Sequence, residues 1–401
     1  MKLNLLYLTN IFSDTVGGSE YVFWLYAKYL ARKDHNIYVM CFRYDKRSLP
    51  RIAASNLNIV ELAPEAKHRG VLFQDLKTNL KYLRKGLQIL KDLHRDIELV
   101  HSNTYIPVLL GGFIKTLYKR KHVVTIHDIG SIMGTRFLCR WFREGGNNVA
   151  TSFIKSLISV AYENTLVNIV PKDTVIVPSL QSKLDVERIS LLKDEIYVIP
   201  NFIDTEFYGK YKSRFRVRYE PCLLYIGRLV FYKNVHMLLK TFNQVLQHRK
   251  DAKLFIIGKG PLGELLHSYV HRRGLNKNVI ILNDTTQEKK CEFLSRCSAM
   301  LNLSMFEGFG ITILESWYFE KPVIVSNVPP LNELVENGVN GYIVDPRGSN
   351  ILAELMLRLL DDPKLAQKMG SKGLSKVLDH YSPESVVPHL ESVYEAVIIK
   401  Q

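Results

Sequence analysis

The 401-residue chain is 47% apolar and 23% charged, which excludes a disordered or collagen-like polymer and is too long for one ordinary core, so two domains are expected. Its formal net charge is +15, unevenly placed: residues 1–200 hold 28 Lys and Arg against 18 Asp and Glu, and the remainder 26 against 21. That balance asks for an acidic partner, whether nucleic acid, anionic lipid or a phosphate-bearing substrate, and does not choose among them.

In chain order, LNLLYL (3–8) opens a first strand ending near Thr9. With Asp14 close behind and no small-residue cleavage site, a strand fits better than a signal peptide. Gly17 and Gly18 precede a helix starting near Ser19. NIYVMCF (36–42), LNIVEL (57–62), IELVHS (97–102), HVVTIH (122–127), VIVPS (175–179) and EIYVIP (195–200) are short apolar or β-branched runs of strand character. Residues 71–96 form a long amphipathic helix pattern with Leu72, Leu76, Leu80, Leu83, Leu87 and Leu90 on one stripe. Lys77, Lys81, Arg84, Lys85 and Lys91 occupy its other side. The charged, Tyr-rich stretch 207–221 shows neither apolar period and is read as the interdomain linker. CLLYIGR (222–228), KLFIIGKG (253–260), NVIIL (278–282), AMLNLS (299–304) and KPVIVS (321–326) repeat the first half's style. Strands alternating with helices predict a doubly wound parallel sheet in each half. The last segment has Ser382 as N-cap and Pro383 at the first helical position, and Pro388 is expected to end or kink that helix.

Cys41, Cys139, Cys222, Cys291 and Cys297 are odd in number and form no metal-like spacing, so they read as reduced thiols of a cytosolic protein. The longest apolar run, residues 105–114, is half the ~20 residues a membrane span needs and is broken by Pro107, Gly111 and Gly112.

Four elements carry chemistry. In FEGFGITILES (306–316), Gly308 and Gly310 flank Phe309 and lead into a helix from about Ile311. A glycine loop entering a helix N-terminus offers unpaired N–H groups and a positive dipole end to an anion. Glu307 and Glu315 stand on either side of it, placed to accept hydrogen bonds from sugar hydroxyls; a plain capped turn is the competing reading. After the strand CLLYI, Arg228 and Lys233 sit where open α/β sheets bind ligands, and two fixed cations there could neutralise a departing diphosphate. Taken alone, that pair is more often ordinary surface charge. Gly17 and Gly18 make a second glycine-lined helix start, without the dinucleotide spacing. His127 and Asp128 end an apolar strand, and His101 and Asn103 end the preceding one, as candidates for the acceptor side. No Walker A, G-x-S-x-G, H-E-x-x-H or D-x-D pattern occurs, so Arg228 and Lys233 would replace a metal and none is expected.

In this order, GGSE, the strand to His127, VIVPS, PNFID (200–204), GRLVFYKN (227–234), FIIGKG and the two glutamates eight apart resemble the family 4 retaining glycosyltransferases. The resemblance runs over nearly the whole chain and implies the GT-B fold: two Rossmann-like domains, an acceptor domain over 1–205 and a nucleotide-sugar domain over 222–378. Residues 206–221 link them, and a final helix over 379–401 returns to the first. It implies transfer of a hexosyl group from a nucleotide-diphosphate sugar, UDP- or GDP-linked, to a glycan or lipid-linked acceptor, with retention of configuration. By resemblance, Gly17 and Gly18 face the donor phosphate and acceptor, and His127 stands near the transferred sugar. Arg228 and Lys233 bind the diphosphate, Glu307 meets the donor sugar and Glu315 the ribose. The amides of Gly310 and Ile311 meet the phosphates, beside Gly308 and Phe309. The chain departs from the pattern at Phe202, Leu303 and Val328-Pro329-Pro330, where glycine, proline and glycine are usual.

A basic first half, with exposed aromatics and Arg136, Arg140 and Arg143 in residues 134–144, adds an anionic membrane surface as an expected partner of a cytoplasmic enzyme. The competing functions are a nucleotide-sugar epimerase and a basic nucleic-acid-binding protein. The latter ranks low because no helix-turn-helix, RNA-recognition or zinc-finger context accompanies the charge.

Overall fold

The computed structural model describes residues 1–15, 17–52, 54–64, 76–103, 105–192, 194–283, 285–348 and 350–400. They form two compact units, one of Met1–Arg136, Phe153–Asn201 and Pro383–Gln401, the other of Phe137–Ser152 and Phe202–Ser382.

The first stretch of chain runs β1 (Asn4–Phe12), α1 (Gly18–Arg32), β2 (Asn36–Tyr44), β3 (Leu57–Glu61), α2 (Leu76–Leu93), β4 (Leu99–Asn103), α3 (Tyr105–Tyr118) and β5 (Lys121–Thr125). It continues with α4 (Thr135–Glu144), α5 (Val149–Asn168), β6 (Thr174–Val177), α6 (Leu180–Ile189) and β7 (Glu195–Val198). The strands form one parallel sheet in the order β3-β2-β1-β4-β5-β6-β7. Burial of both faces explains the near-continuous apolar strands: Leu5 to Leu8 of β1 and Val123 and Val124 of β5 are fully buried. Strand β1 runs three residues past Thr9, because Ile11 and Phe12 pair with Arg43 and Tyr44.

Helix α2 seats part of its leucine stripe, Leu83 and Leu87 packing against the core beside buried Leu90. Tyr82, Gly86 and Leu90 face the core, with Tyr82 stacked on Phe42 at 4.1 Å between ring centroids. Leu80 is 54% exposed. The aromatic ring buries more apolar area than one leucine and turns the helix toward itself. Leu72 lies outside the described residues.

The second unit continues with α7 (Thr205–Arg214), β8 (Cys222–Ile226), α8 (Val235–His248), β9 (Lys253–Ile257), α9 (Gly263–Arg272), β10 (Val279–Leu282) and α10 (Gln287–Arg296). There follow β11 (Ala299–Asn302), α11 (Ile311–Tyr318), β12 (Val323–Ser326), α12 (Leu331–Leu334), β13 (Gly341–Val344), α13 (Asn350–Asp361) and α14 (Pro363–His380). Its parallel sheet has the order β10-β9-β8-β11-β12-β13. Both sheets are therefore doubly wound, with order reversing at β1/β4 and at β8/β11.

The expected linker is corrected. Residues 205–214 are the helix α7 of the second unit, capped by the Asp204 carboxylate on the Phe207 N–H at 3.1 Å. Phe207, Tyr211 and Phe215 recur every four residues and pack edge to face or stacked, a helical period hidden among lysines and arginines. Pro388 likewise does not break the last helix, α15 (Pro383–Ile399), which belongs to the first unit. Pro388 costs at most one backbone bond near the start. Val386, Val387, Leu390, Val393, Tyr394 and Val397 are all buried along its length.

Two of the family-unusual residues are core residues here, since Phe202 is fully buried and Leu303 packs within the second unit's core, whereas Pro329 is exposed.

Candidate active site

In the second unit the sheet order reverses between β8 and β11, and the loops leaving these two strands carry most of the sequence candidates. Crevices outside the carboxyl ends of strands at such a reversal bind ligands. After β8, Arg228 is exposed and its guanidinium donates to the Tyr232 hydroxyl. Lys233 closes a short 3₁₀ turn, Phe231–Lys233, and its ammonium pairs with the Glu307 carboxylate, 74 residues away. The same Glu307 Oε1 accepts from Asn302 Nδ2 at 3.1 Å and Ser304 Oγ at 2.9 Å. Met305 N–H donates to the Tyr232 carbonyl at 2.7 Å, which ties the two loops together. Burial alone would raise the Glu307 pKa, but Lys233's charge and the three side-chain donors hold it below the ordinary glutamate value.

Beyond Glu307, Gly308 and Phe309 lead to Gly310, the N-cap of α11, at φ 105° with no side-chain cap. That left-handed backbone favours glycine, and a Cβ there would sit 3.0 Å from Leu331 Cδ2. No capping side chain occupies the helix start at Ile311, so its first N–H groups suit an anion. Phe309 is buried in the core beneath the loop. One turn into α11, Glu315 is 5% exposed. Its Oε1 accepts from the Tyr208 hydroxyl and from Lys290 Nζ at 2.8 Å.

Residues 134–144 were expected to expose aromatics. Instead, Phe137 lies 5.0 Å from Phe231 and Trp141 5.8 Å from Tyr232, ring centre to ring centre. Glu144 accepts the Phe231 N–H at 2.9 Å, so the helix α4 buttresses the turn that carries Lys233. The rings find apolar partners on that turn, which leaves them half-buried rather than exposed.

In the first unit, Gly17 is the N-cap of α1 at φ 60°, ψ 166°, a conformation open to glycine, and Gly18 begins the helix. His127 lies two residues beyond β5; its Nε2 is buried without a partner among the described residues, and burial lowers its pKa to about 4. Asp128 beside it is exposed. Asn103 is buried at the end of β4 and donates to the Ser19 carbonyl at 3.3 Å, next to the glycine turn. His101 is corrected. It is fully buried, with Nδ1 2.6 Å from the Tyr394 hydroxyl and Nε2 2.7 Å from Thr125 Oγ1, so neither nitrogen is available to an acceptor. Being polar at a strand end did not distinguish it from His127; its side chain points into the sheet's covered face, where α15 meets it.

Sequence reading missed Tyr208, Lys290, Asn302 and Ser304. Asn302 and Ser304 were quoted only as strand residues, and Lys290 lies in an unremarkable charged helix. Lys290 and Tyr208 lie 25 and 107 residues from Glu315, so no local signal marks them, whereas Asn302 and Ser304 stand only five and three residues before Glu307 and were passed over as strand residues.

Two family models together cover most of the chain. Glycosyltransferase Family 4 matches residues 16–207, and Glycosyl transferases group 1 matches residues 212–376. The chain is 26% identical over 402 residues to N-acetyl-alpha-D-glucosaminyl L-malate synthase of Bacillus anthracis, covering 96% of this chain and 95% of that one. It is 27% identical over 186 residues to alpha-D-kanosaminyltransferase of Streptomyces kanamyceticus, where the match covers 46% of this chain and only 48% of the relative. The solved structure of Anabaena HepE with UDP-glucose superposes with a TM-score of 0.74 at 19% identity, covering 98% of this chain and all of that one. The chain belongs to the family 4 glycosyltransferases and has their GT-B fold. It is a glycosyltransferase.

Proposed function

We propose that the enzyme transfers a hexosyl group from a UDP- or GDP-linked sugar to a glycan or lipid-linked acceptor, with retention of anomeric configuration. One observation carries the donor half: Lys233 and Glu307, from loops after neighbouring strands β8 and β11, meet beside an uncapped helix start. Fixed cations and amide donors at one place suit a diphosphate, and an acid among them suits the hydroxyls of its sugar. Arg228 and Lys233 neutralise charge as the anomeric C–O bond breaks and its electron pair passes to the diphosphate. The amides of Gly310 and Ile311 receive phosphate oxygens, Glu307 orients the sugar, and Glu315 takes the ribose. The acceptor oxygen bonds to the anomeric carbon on the face the diphosphate leaves, and its proton goes to a diphosphate oxygen. Within the first unit, Gly17 and Gly18 leave a helix start open to an acceptor, and His127, neutral at pH 7, can accept a hydroxyl hydrogen bond. No resident metal is required in this scheme. Retention is supported by the alpha-linked names of both relatives, and a uridine donor by the UDP-glucose held by the Anabaena protein.

A thermal-shift screen against UDP-, GDP- and ADP-sugars tests this reading. At 100 times its dissociation constant the true donor adds about 2.7 kcal/mol of stability. At least one nucleotide sugar is expected to raise the unfolding temperature; silence from all of them at millimolar concentration contradicts the proposal.

An anionic membrane surface is the further partner we propose. Among the described residues, no helix is long and apolar enough to cross a membrane. On α5, however, Phe153, Ile154, Leu157 and Ile158 are 47–56% exposed, while Ser152, Ser156 and Ser159 are buried. An outward apolar face in a unit that also exposes Lys77, Arg84, Lys85 and Lys91 on α2 suits anionic lipid.

A further inference from the structure

Glu315 is held more tightly than a hydroxyl-binding carboxylate needs to be. It sits one turn into α11 with its side chain 7% exposed, facing Lys290, whose side chain is 12% exposed. Lys290 occupies the first turn of α10, which Thr286 caps by accepting the Lys289 N–H at 3.1 Å. Tyr208 comes from α7 and is also buried. The three polar ends close a triangle: Lys290 Nζ lies 2.8 Å from Glu315 Oε1 and 3.2 Å from the Tyr208 hydroxyl, which donates to the same Oε1. Both donors fall on one carboxylate oxygen. The other, Oε2, is buried and has no hydrogen-bond partner among the described residues.

Leaving a buried carboxylate oxygen unsatisfied is costly, and native proteins rarely do so without a ligand in view. An ion pair that saturates one oxygen also fixes the rotamer, so the second oxygen points in one direction with its lone pairs free. Two adjacent hydroxyls are the donors such an oxygen accepts best.

We propose that Tyr208 and Lys290 are positioning residues that fix the Glu315 rotamer and present Oε2 to the vicinal hydroxyls of the donor's ribose, making the site selective for ribonucleotides. This rests on the donor reading above. Neither residue touches the ribose; each acts through Glu315. A site built to bond a hydroxyl rejects the analogue that lacks it, because the acceptor is then stranded.

The experiment is calorimetric. UDP, GDP and ADP are each paired with their 2′-deoxy counterparts, and the tightest-binding pair is measured on wild type, Lys290→Met, Tyr208→Phe and Lys290→Arg. A hydrogen bond to a charged group corresponds to about ten- to hundredfold in affinity, so wild type is expected to prefer the ribonucleotide by at least about tenfold. In Lys290→Met and Tyr208→Phe that preference falls several-fold, through weaker ribonucleotide binding with deoxynucleotide binding nearly unchanged. Lys290→Arg, which keeps the charge, recovers part of it. Equal weakening of both nucleotides in Lys290→Met means the lysine only supports the fold, and overturns the proposal, as does an unaltered preference or a wild type with none. Should wild type bind no nucleoside diphosphate at all, the donor reading itself fails.

Discussion

His122 shows how the first unit treats titratable groups. Its Nδ1 faces the Pro171 carbonyl at 2.8 Å, which can only accept, so the ring hydrogen sits there. Nε2 is 2.7 Å from Ser102 Oγ and accepts from it, an arrangement only the neutral ring can make. Burial pushes His122 down to about 4, as it does His127, and holds His101 well below the usual histidine range. Unfolded, all three would titrate near 6.5. Between that value and about 4 the unfolded chain binds more protons, so stability is complete above pH 6.5 and is lost as pH falls toward 4. For His122 the shift corresponds to about 3 kcal/mol. Glu307, depressed in the native state, adds a loss of the same sign as pH drops below the ordinary glutamate range. Denaturant midpoints at pH 7.5, 6 and 5 are therefore expected to fall steadily, most steeply below 6; a flat profile would contradict the neutral burial of these rings. At this scale the sequence was legible where chemistry is local. Arg228, Lys233 and Glu307 were readable from glycines and strand ends, whereas telling His101 from His127 requires knowing that α15 returns to cover β4 with Tyr394.

Helix α5 is built against the usual amphipathic rule, with serines inward and apolar residues outward. Small buried side chains let a helix approach closely what it packs on, and the apolar residues then line the other face. If that face rests on lipid, the wild type co-floats with vesicles containing anionic lipid, and less so with neutral ones or at high salt. Phe153→Ser with Leu157→Ser is expected to abolish flotation without changing nucleotide binding. Flotation that survives this change, or a concentration-dependent dimer lost with it, would show that the face has another use. Elements were legible where apolar residues dominated the period, as in β1, β5, β8 and β9. Two others were not. In α7 the aromatic repeat was masked by charge, and β13 is four residues, Gly341–Val344, emerging from a turn with too short a run to register. The seating of α2 was legible in Leu83, Leu87 and Leu90, which pack on the core, but not in Leu80, which faces out where Tyr82 faces in.

For the molecule as a whole, the two parallel sheets were legible because alternation of strand and helix leaves few other ways to bury both faces of each strand. The excursion of Phe137–Ser152 into the second unit was not, since it makes the chain cross between units within α4 and within α5. Charge is the property that belongs to this scale: of the net +15, two-thirds lies in residues 1–200, while the donor's diphosphate is assigned to cations of the second unit. The central claim is that these cations, with helix-end amides, stabilise a departing diphosphate. Its most direct measurement is the transfer rate, per folded enzyme and in the presence of EDTA, of wild type, Arg228→Ala and Lys233→Ala with the donor the screen identifies. Arg228 is exposed, so its removal strands no buried charge; Lys233→Ala also deprives Glu307 of its partner and will cost some stability. Wild type is expected to keep its rate in EDTA, and each variant to lose about 10²–10³-fold, the scale of removing one preorganised donor at a developing anion. Variants that turn over at the wild-type rate, or a wild type silenced by EDTA, would contradict it.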